Sequence, residues 1–545
     1  PVEVVDFIIK SVEEVLQHEF KSSLQDKGVH ILDPFTGTGT FITRLLQSGI
    51  IPHDRLPEKY KSEIHANEIV LLAYYIAAIN IESAYHGILA GNIDGNVSDD
   101  VPYVPFEGIC LTDTFQMYEK GDMLDEMLVD NSARRKRQKA LDIRVIIGNP
   151  PYSAGRKKGN DDTARIPYPL LDERIRETYA ANTDATNKNA LYNSYIRALR
   201  WASDRLSGQG VIAFISGNGF IDKPVMSGLR KCWQEEFSNI YIFNLRGDVK
   251  KNILSKGRTK EGENIFDDAS TSGIAISILV KKSNQKEKGK IYYYDIGDNL
   301  SVKDKKAKLI KIDSMKNVPW EQIEPNEFSD WVNQRASNFN DYILIGDKKD
   351  KTENLIFSTY SMGIKTNRDP WVYGFSKNKI EQKLTRLLNF YNSEVKRYED
   401  AKNMLSAKQD LIIEDFISLD ATKISWSRAL RSDIKKGKIH TLKSSSIMVG
   451  LYRPFTKQYL YFDRSLVNDM ALMPKLFPNQ SSNNKVIITN GKGSRNGLST
   501  LIADATPDLN ILEAGAQCFP LDYFEETDSP NERTNERTNE IILEQ

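Results

Sequence analysis

The chain has 545 residues, 40% of them hydrophobic and 27% charged, with Lys+Arg and Asp+Glu balanced at 74 each. That length supports at least two hydrophobic cores. The zero net charge excludes a polybasic protein, so any nucleic-acid contact must come from local clusters such as Arg134-Arg135-Lys136-Arg137 or the lysines from Lys281 to Lys290. Three cysteines without CxxC spacing and six histidines without an HExxH grouping suggest neither a disulfide framework nor a metal site, and they fit a reducing cytoplasm. The first residue is Pro1 rather than Met, as expected for a piece of a longer polypeptide.

Residues 2 to 16 carry apolar side chains at helical spacing with acids early, which predicts a helix. Val29 to Leu32 forms a short apolar strand ending in Asp33, followed by Pro34-Phe35-Thr36-Gly37-Thr38-Gly39-Thr40-Phe41 and an amphipathic helix. This order of strand, glycine loop and helix suits a nucleotide-like ligand. Glycines let the backbone approach closely, and the helix N-terminus offers free N–H groups. The third glycine of a dinucleotide fingerprint is missing, which disfavours a pyrophosphate clamp. With Asp33 available to an ammonium, the loop suits the amino-acid end of S-adenosylmethionine, and a plain tight turn is the competing reading. The next strand, Glu63 to Ala66, ends at Glu68, which reads either as a ribose acceptor or as a solvated acid starting the helix Ile69 to Ile81. Asp113, after the strand from Ile109, suits an adenine amino group and equally an N-cap.

Val145 to Tyr152 reads VIIGNPPY, an apolar strand broken by two prolines. Prolines fix their own φ and push the preceding residue to extended conformations, so Asn149-Pro150-Pro151 is a stiff, exposed turn. The Pro150 carbonyl and the Asn149 side-chain oxygen then offer two acceptors beside the ring of Tyr152. Such a site suits the amine of a flat ring: two acceptors hold both N–H bonds and localise the nitrogen lone pair while the tyrosine stacks. The bland reading is a strand entering a proline-rich loop.

Residues 153 to 190 read as a long polar loop. Helices at 191 to 206 and 225 to 237 then alternate with strands at 210 to 216, 240 to 245 and 273 to 281, the pattern of a mostly parallel sheet with helices on both faces. Beyond about residue 290, short aromatic and β-branched runs (IYYYDI, DYILIG, MVGLYRPF, YLYFD, KVIITN) surround a charged helix from Lys377 to Gln409 and predict a second, mixed domain. The terminal NERTNERTNE reads as a polar tail or an exposed helix.

In their order, PVEVVDFI, DPFTGTGTF, an acid after the second strand, TDTF and NPPY resemble the motifs of the γ-class DNA adenine-N6 methyltransferases over residues 1 to about 285. The C-terminal stretches DWVNQR, GLYRPFTKQYLYFD and LNILEAGAQCFPLDYFE are similar to the Type ISP restriction-modification enzymes. The resemblance implies an α/β, Rossmann-like methyltransferase with a mostly parallel seven-stranded sheet and a reversed edge strand at 1–290. A mixed α+β target recognition domain at 291–525 and a polar tail at 526–545 would follow.

It further implies S-adenosylmethionine as cofactor, lined by Asp33, Pro34, Phe35, Gly37, Gly39 and Phe41, with Glu68 on its ribose and Asp113 on its adenine. Asn149, Pro150, Pro151 and Tyr152 would form the catalytic notch, with Phe266 as a second aromatic against the extruded base. Double-stranded DNA would be the substrate, contacted by candidates such as Lys365, Asn367, Arg368, Arg453 and Lys457. Covalently joined nuclease and ATPase domains would lie outside this chain. The alternatives are a protein glutamine or RNA adenine methyltransferase, and a DNA specificity module without catalysis.

Overall fold

The computed structural model describes residues 1–91, 102–118, 129–152, 168–185, 187–206, 208–249, 261–266, 272–335, 338, 341–347, 354–404, 413–479, 481–491, 498–512 and 515–524. The chain divides after Arg335 into two units, apart from a short segment near residue 186.

Among the described residues, the first unit is built on a nine-stranded sheet. Its strands are β1 (His30–Asp33), β2 (Ile64–Glu68), β3 (Ile109–Leu111), β4 (Ile143–Gly148), β5 (Gly210–Gly217), β6 (Asn239–Arg246), β7 (Ile274–Lys281), β8 (Lys290–Asp295) and β9 (Glu321–Ile323). They lie in the order β3-β2-β1-β4-β5-β7-β6-β8-β9. The five from β3 to β5 are parallel, and β7 runs antiparallel to both of its neighbours. β5 is buried along its whole length, the apolar run expected of a strand covered on both faces. Helix α1 (Val2–Val15) buries Val4, Val5, Phe7, Ile8, Ile9, Val12 and Val15, with Phe7 edge-on to Phe243 of β6 at 5.5 Å.

Sheet order fixes where chemistry can sit. Chain progression runs outward in one direction through β1, β2 and β3 and in the other through β4 and β5, so a topological switch point lies between β1 and β4. Ligands of open α/β sheets bind outside the carboxyl ends of the strands at such a point. The glycine loop leaves β1 there and Asn149 leaves β4.

Four expectations need correction. The sheet has nine strands rather than seven, and the reversed strand β7 is internal, between β5 and β6. The first unit does not stop at residue 290. IYYYDI supplies β8, whose Tyr292 stacks on Tyr241 at 4.8 Å and whose Tyr294 packs edge-on against Phe243 at 4.9 Å, so the aromatics of β6 recruit it to the first sheet. DWVNQR also belongs to this unit: Trp331 packs against Trp233 at 6.1 Å and Asp330 pairs with Arg230. Lastly, the stretch read as loop from 153 to 190 contains a helix, Pro169–Ile175, with proline in its first turn and Leu171, Ile175 and Tyr179 buried at four-residue spacing. Proline there is a start signal rather than a breaker. Residues 153–167 lie outside the described residues.

The second unit contains β10 (Ser361–Met362), β11 (Tyr373–Gly374), β12 (Ile447–Arg453), β13 (Thr456–Tyr461), β14 (Val486–Thr489), β15 (Thr500–Ala503), β16 (Thr506–Pro507) and β17 (Gln517–Pro520). They form two four-stranded sheets, β10-β17-β14-β15 and β11-β13-β12-β16. The helix Lys377–Met404 buries Ile380, Leu384, Leu387, Leu388, Tyr391, Val395 and Tyr398, a stripe with helical period. The polar tail lies outside the described residues.

The extended boundary has an energetic signature. Arg230 is fully buried and donates to the carbonyls of Ser329 (2.6 Å), Phe220 (3.0 Å) and Lys223 (3.0 Å) and to Asp330 (3.2 Å). Arg230→Ala strands these acceptors, and truncating one partner of such a buried pair costs about 3 to 5 kcal/mol. Denaturant unfolding of the variant is expected to show that loss; an unchanged midpoint would contradict the boundary.

Candidate active site

Asp33 ends β1 and is buried, 1% exposed. Its Oδ1 accepts the Phe35 backbone N–H at 3.1 Å, and among the described residues its Oδ2 has no hydrogen-bond partner. Burial, with a smaller contribution from the Glu68 carboxylate, pushes this carboxyl up to about 7 against the pull of the Phe35 donor. A Cβ added at Gly148 would lie 2.9 Å from Asp33 Oδ1, so a side chain there would have to displace this carboxyl.

The loop after Asp33 is held from three sides. Thr36 donates its hydroxyl to the Asp33 carbonyl (2.9 Å) and its N–H to the Asn67 carbonyl (3.0 Å). Gly37 and Gly39 have φ of 57° and 89°, in the left-handed region that favours glycine. Glu68, at the end of β2, is buried rather than solvated. Its Oε2 accepts from Gly37 N–H at 2.8 Å and its Oε1 from Val70 N–H at 2.7 Å, so it braces both the loop and the approach to the helix Leu71–Leu89. An open buried carboxyl oxygen at the start of a glycine-rich loop can take the hydrogen of a small cationic donor. Among the described residues no group of three metal-ligating side chains occurs.

Asp113 follows β3 with both oxygens engaged. Oδ1 takes the Phe115 N–H at 2.9 Å, an Asx-type turn, and Oδ2 takes the Tyr168 hydroxyl at 2.7 Å. Aromatic rings gather here: Phe35 lies 5.5 Å from Phe115, 6.2 Å from Phe214 and 6.5 Å from Trp201, and Phe115 meets Tyr168 edge-on at 5.2 Å. Phe35 is thus part of an aromatic wall. Phe41 stands apart from the expected set, since its ring is 5% exposed within the hydrophobic core, on the apolar face of the helix Thr40–Gln47.

After β4, Asn149 and Pro151 are exposed, Pro150 is buried and Tyr152 is half-buried. The Tyr152 hydroxyl donates to Asn149 Oδ1 at 2.6 Å and also reaches the Ile215 carbonyl of β5 at 3.3 Å. The Asn149 acceptor is therefore shared rather than empty, with its second lone pair remaining. Burial pushes the Tyr152 phenol well above its ordinary range, so it stays a donor. Phe266 faces Tyr152 with ring centroids 6.5 Å apart and planes inclined by 48°.

Several residues that hold this geometry escaped the sequence reading. Asn67 is fully buried and donates to Thr114 Oγ1 (3.3 Å), which donates to the Pro34 carbonyl (2.6 Å), locking three strand ends together. Asn264 accepts the Phe266 N–H at 3.0 Å and donates to the carbonyls of Gly247 and Ser272, at 3.1 and 2.8 Å. The buried Lys305 ammonium donates to the carbonyls of Leu245 (2.7 Å) and Glu263 (2.6 Å), and its burial lowers its pKa to about 8. A buried polar residue at a strand end was the available signal for Asn67. For Asn264 and Lys305 no local signal exists.

The groove candidates in the second unit divide. Lys365 and Asn367 are exposed. Arg368 is not: it is 2% exposed, donates to the Ser425 carbonyl (3.3 Å), the Leu466 carbonyl and Ser427 Oγ (2.7 Å), and ties the unit's interior together. Arg453 bonds Asp508 at 2.9 Å over the ring of Tyr452, and Lys457 pairs with Asp504 at 2.7 Å. The first-unit basic runs are also partly internal, since Arg135 is buried and Lys281 donates to the carbonyls of Ser203 and Leu206 at 2.8 and 2.7 Å.

Residues 355–542 match the family model of the Type ISP C-terminal specificity domain. No curated protein matches the chain. Among solved structures, the chain is similar to a nuclease-deletion mutant of the Type ISP restriction-modification enzyme LlaGI in complex with a DNA substrate mimic, with 41% identity and a TM-score of 0.84, covering 98% of this chain and 42% of that one. The ATP-dependent Type ISP enzyme LlaBIII bound to DNA gives 40% identity and a TM-score of 0.83, covering 98% of this chain and 34% of that one. The DrdV–DNA complex gives 33% identity and a TM-score of 0.80, covering 99% and 50%. The chain therefore spans half or less of the length of these relatives. By family model over residues 355–542 and by fold over nearly its whole length, the chain corresponds to a part of the Type ISP restriction-modification enzymes that includes their C-terminal specificity domain.

Proposed function

We propose that the chain methylates the exocyclic N6 of an adenine at a specific site in duplex DNA, with S-adenosylmethionine as donor, and that it works joined to nuclease and ATP-driven parts. One observation carries the reading: at the switch point, a buried carboxyl with an open oxygen lies beside the strand that ends in an amide, a proline carbonyl and a tyrosine. Three relatives that match nearly all of the chain were solved with DNA, one lacking its nuclease and another described as ATP-dependent.

The residues fit the donor. Asp33 would hold its ammonium, the Gly37 to Gly39 backbone would let it approach, and Glu68 would exchange the Gly37 N–H for ribose hydroxyls. Asp113 would meet its adenine beside Phe35 and Phe115. When bound, S-adenosylmethionine supplies a methyl group made electrophilic by its sulfonium.

The remaining work falls to the notch. An adenine must leave the duplex at a cost of about a few kcal/mol, and stacking on Tyr152 and Phe266, at roughly 1 to 3 kcal/mol per aromatic contact, offsets much of that. The two rings, 6.5 Å apart with planes inclined by 48°, would have to turn towards parallel to reach the roughly 7 Å of two stacking distances. Asn149 Oδ1 and the Pro150 carbonyl would accept the two amine N–H bonds and favour the pyramidal nitrogen over the planar one. Because only the pyramidal form resembles the transition state, the pair lowers the barrier rather than merely binding substrate.

Radiolabelled methyl transfer to duplex DNA, RNA and protein acceptors, with the product mapped, is expected to place the label on adenine N6 of duplex DNA; label on glutamine or RNA would contradict the reading. Asn149→Ala is expected to lower kcat by roughly 100-fold, as for the loss of one preorganised transition-state contact. Tyr152→Ala is expected mainly to raise KM for DNA, by about tenfold.

Donor affinity should depend on pH through Asp33, because a carboxyl that titrates at about 7 is protonated below that and cannot hold an ammonium. Affinity measured by calorimetry is expected to be level above about pH 7.5 and to fall by up to roughly tenfold per unit below 7. Asp33→Asn should bind weakly without that slope, and a wild-type affinity constant down to about pH 5.5 would contradict the assignment.

A further inference from the structure

Among the described residues, Phe455 is the most exposed large hydrophobic side chain, at 91%. It sits at the tip of the hairpin joining β12 to β13, where Arg453 and Thr456 face each other across the turn and Pro454 and Phe455 are the central residues. Proline suits the first central position. The second has φ 64°, the left-handed region that a tight turn ordinarily gives to glycine or asparagine. Backbone strain and full exposure of an aromatic ring therefore coincide at one residue. Neither helps the second unit to fold, and such strain persists where something else is gained.

The surroundings indicate what is gained. A cleft of about 560 Å³ opens beside the ring, bordered by Leu501 and Ile502 together with Lys457 and Lys485. Arg453 is pinned on the other flank of the turn by Tyr452 and Asp508. Phe455 projects with Ile502 exposed beside it, and Lys457, Lys485 and Asp504 border the same cleft, so the apolar projection is flanked by cations, which matches a partner made of flat stacked faces and regularly spaced phosphates.

We propose that Phe455 is a wedge that inserts its ring into the base stack of the bound duplex, with Lys457 and Lys485 meeting the flanking phosphates. Lys457 exchanges its Asp504 partner for a phosphate oxygen on binding. The inference rests on the DNA reading above and adds to it a contact that needs no particular base sequence, since every base has a stacking face.

The full chain and a duplex carrying the mapped methylation site provide the test. Phe455→Gly removes the ring and relieves the strained φ, so it is expected to melt no lower than the wild type while its dissociation constant for the duplex rises about tenfold. Phe455→Trp keeps a flat ring and is expected to stay within about threefold of the wild type. Unchanged binding by Phe455→Gly would overturn the wedge. So would a fall in melting temperature large enough to account for the weaker binding, which would assign the ring to packing. A wild-type chain that holds no duplex sinks the DNA reading, and the wedge with it.

Discussion

Everything in the first unit turns on how closely β1 and β4 run side by side. They are parallel neighbours at the point where the chain changes direction across the sheet, and their ends approach until Gly148 has no room for a methyl group beside Asp33. That contact brings two unlike loops to one edge. One is glycine-rich and carries the buried carboxyl, and the other is stiffened by two prolines and carries the acceptors. A side chain at position 148 would meet the Asp33 carboxyl and displace it from its place beside the glycine loop.

Local forces then fit each loop to its part. The carboxyl of Asp33 is costly to ionise where it stands, and that cost makes it receptive to a cation. Hydrogen bonds from Thr36 and Gly37 fasten the glycine loop to β1 and β2, while the chain of Asn67, Thr114 and Pro34 fastens β2 to the turn after β3. The aromatic pair at the notch is positioned differently. Tyr152 is tethered by its hydroxyl to Asn149, whereas Phe266 depends on Asn264 and, through the backbone of residues 263 to 264, on Lys305.

What could be read from the sequence was whatever a short string encodes. Strand ends followed by Asp33, by Gly37 and Gly39, or by NPPY carry their geometry in adjacent residues, and the structure brings them to one sheet edge. Pairings between distant strands left no such mark. IYYYDI looked like the opening of a new domain because its partners, Tyr241 and Phe243, lie some fifty residues earlier on β6. Burial was equally opaque: nothing around Arg368 reveals that its guanidinium turns inward to two carbonyls and a serine, and nothing around Phe41 separates a core ring from a ligand-facing one. Phe455 was legible as a letter in a motif, but its strain and exposure exist only in three dimensions.

The account stands on the claim that the notch after β4 receives a base swung out of the duplex. Photocrosslinking tests this most directly: 5-iodouracil replaces the target adenine in a duplex carrying the mapped site, the complex is irradiated, and the adduct is located by peptide mapping. The account predicts an adduct on Tyr152, with Phe266 as the only other principal site. Adducts confined to the second unit, on a probe that is bound and whose adenine-containing counterpart is methylated, would contradict it.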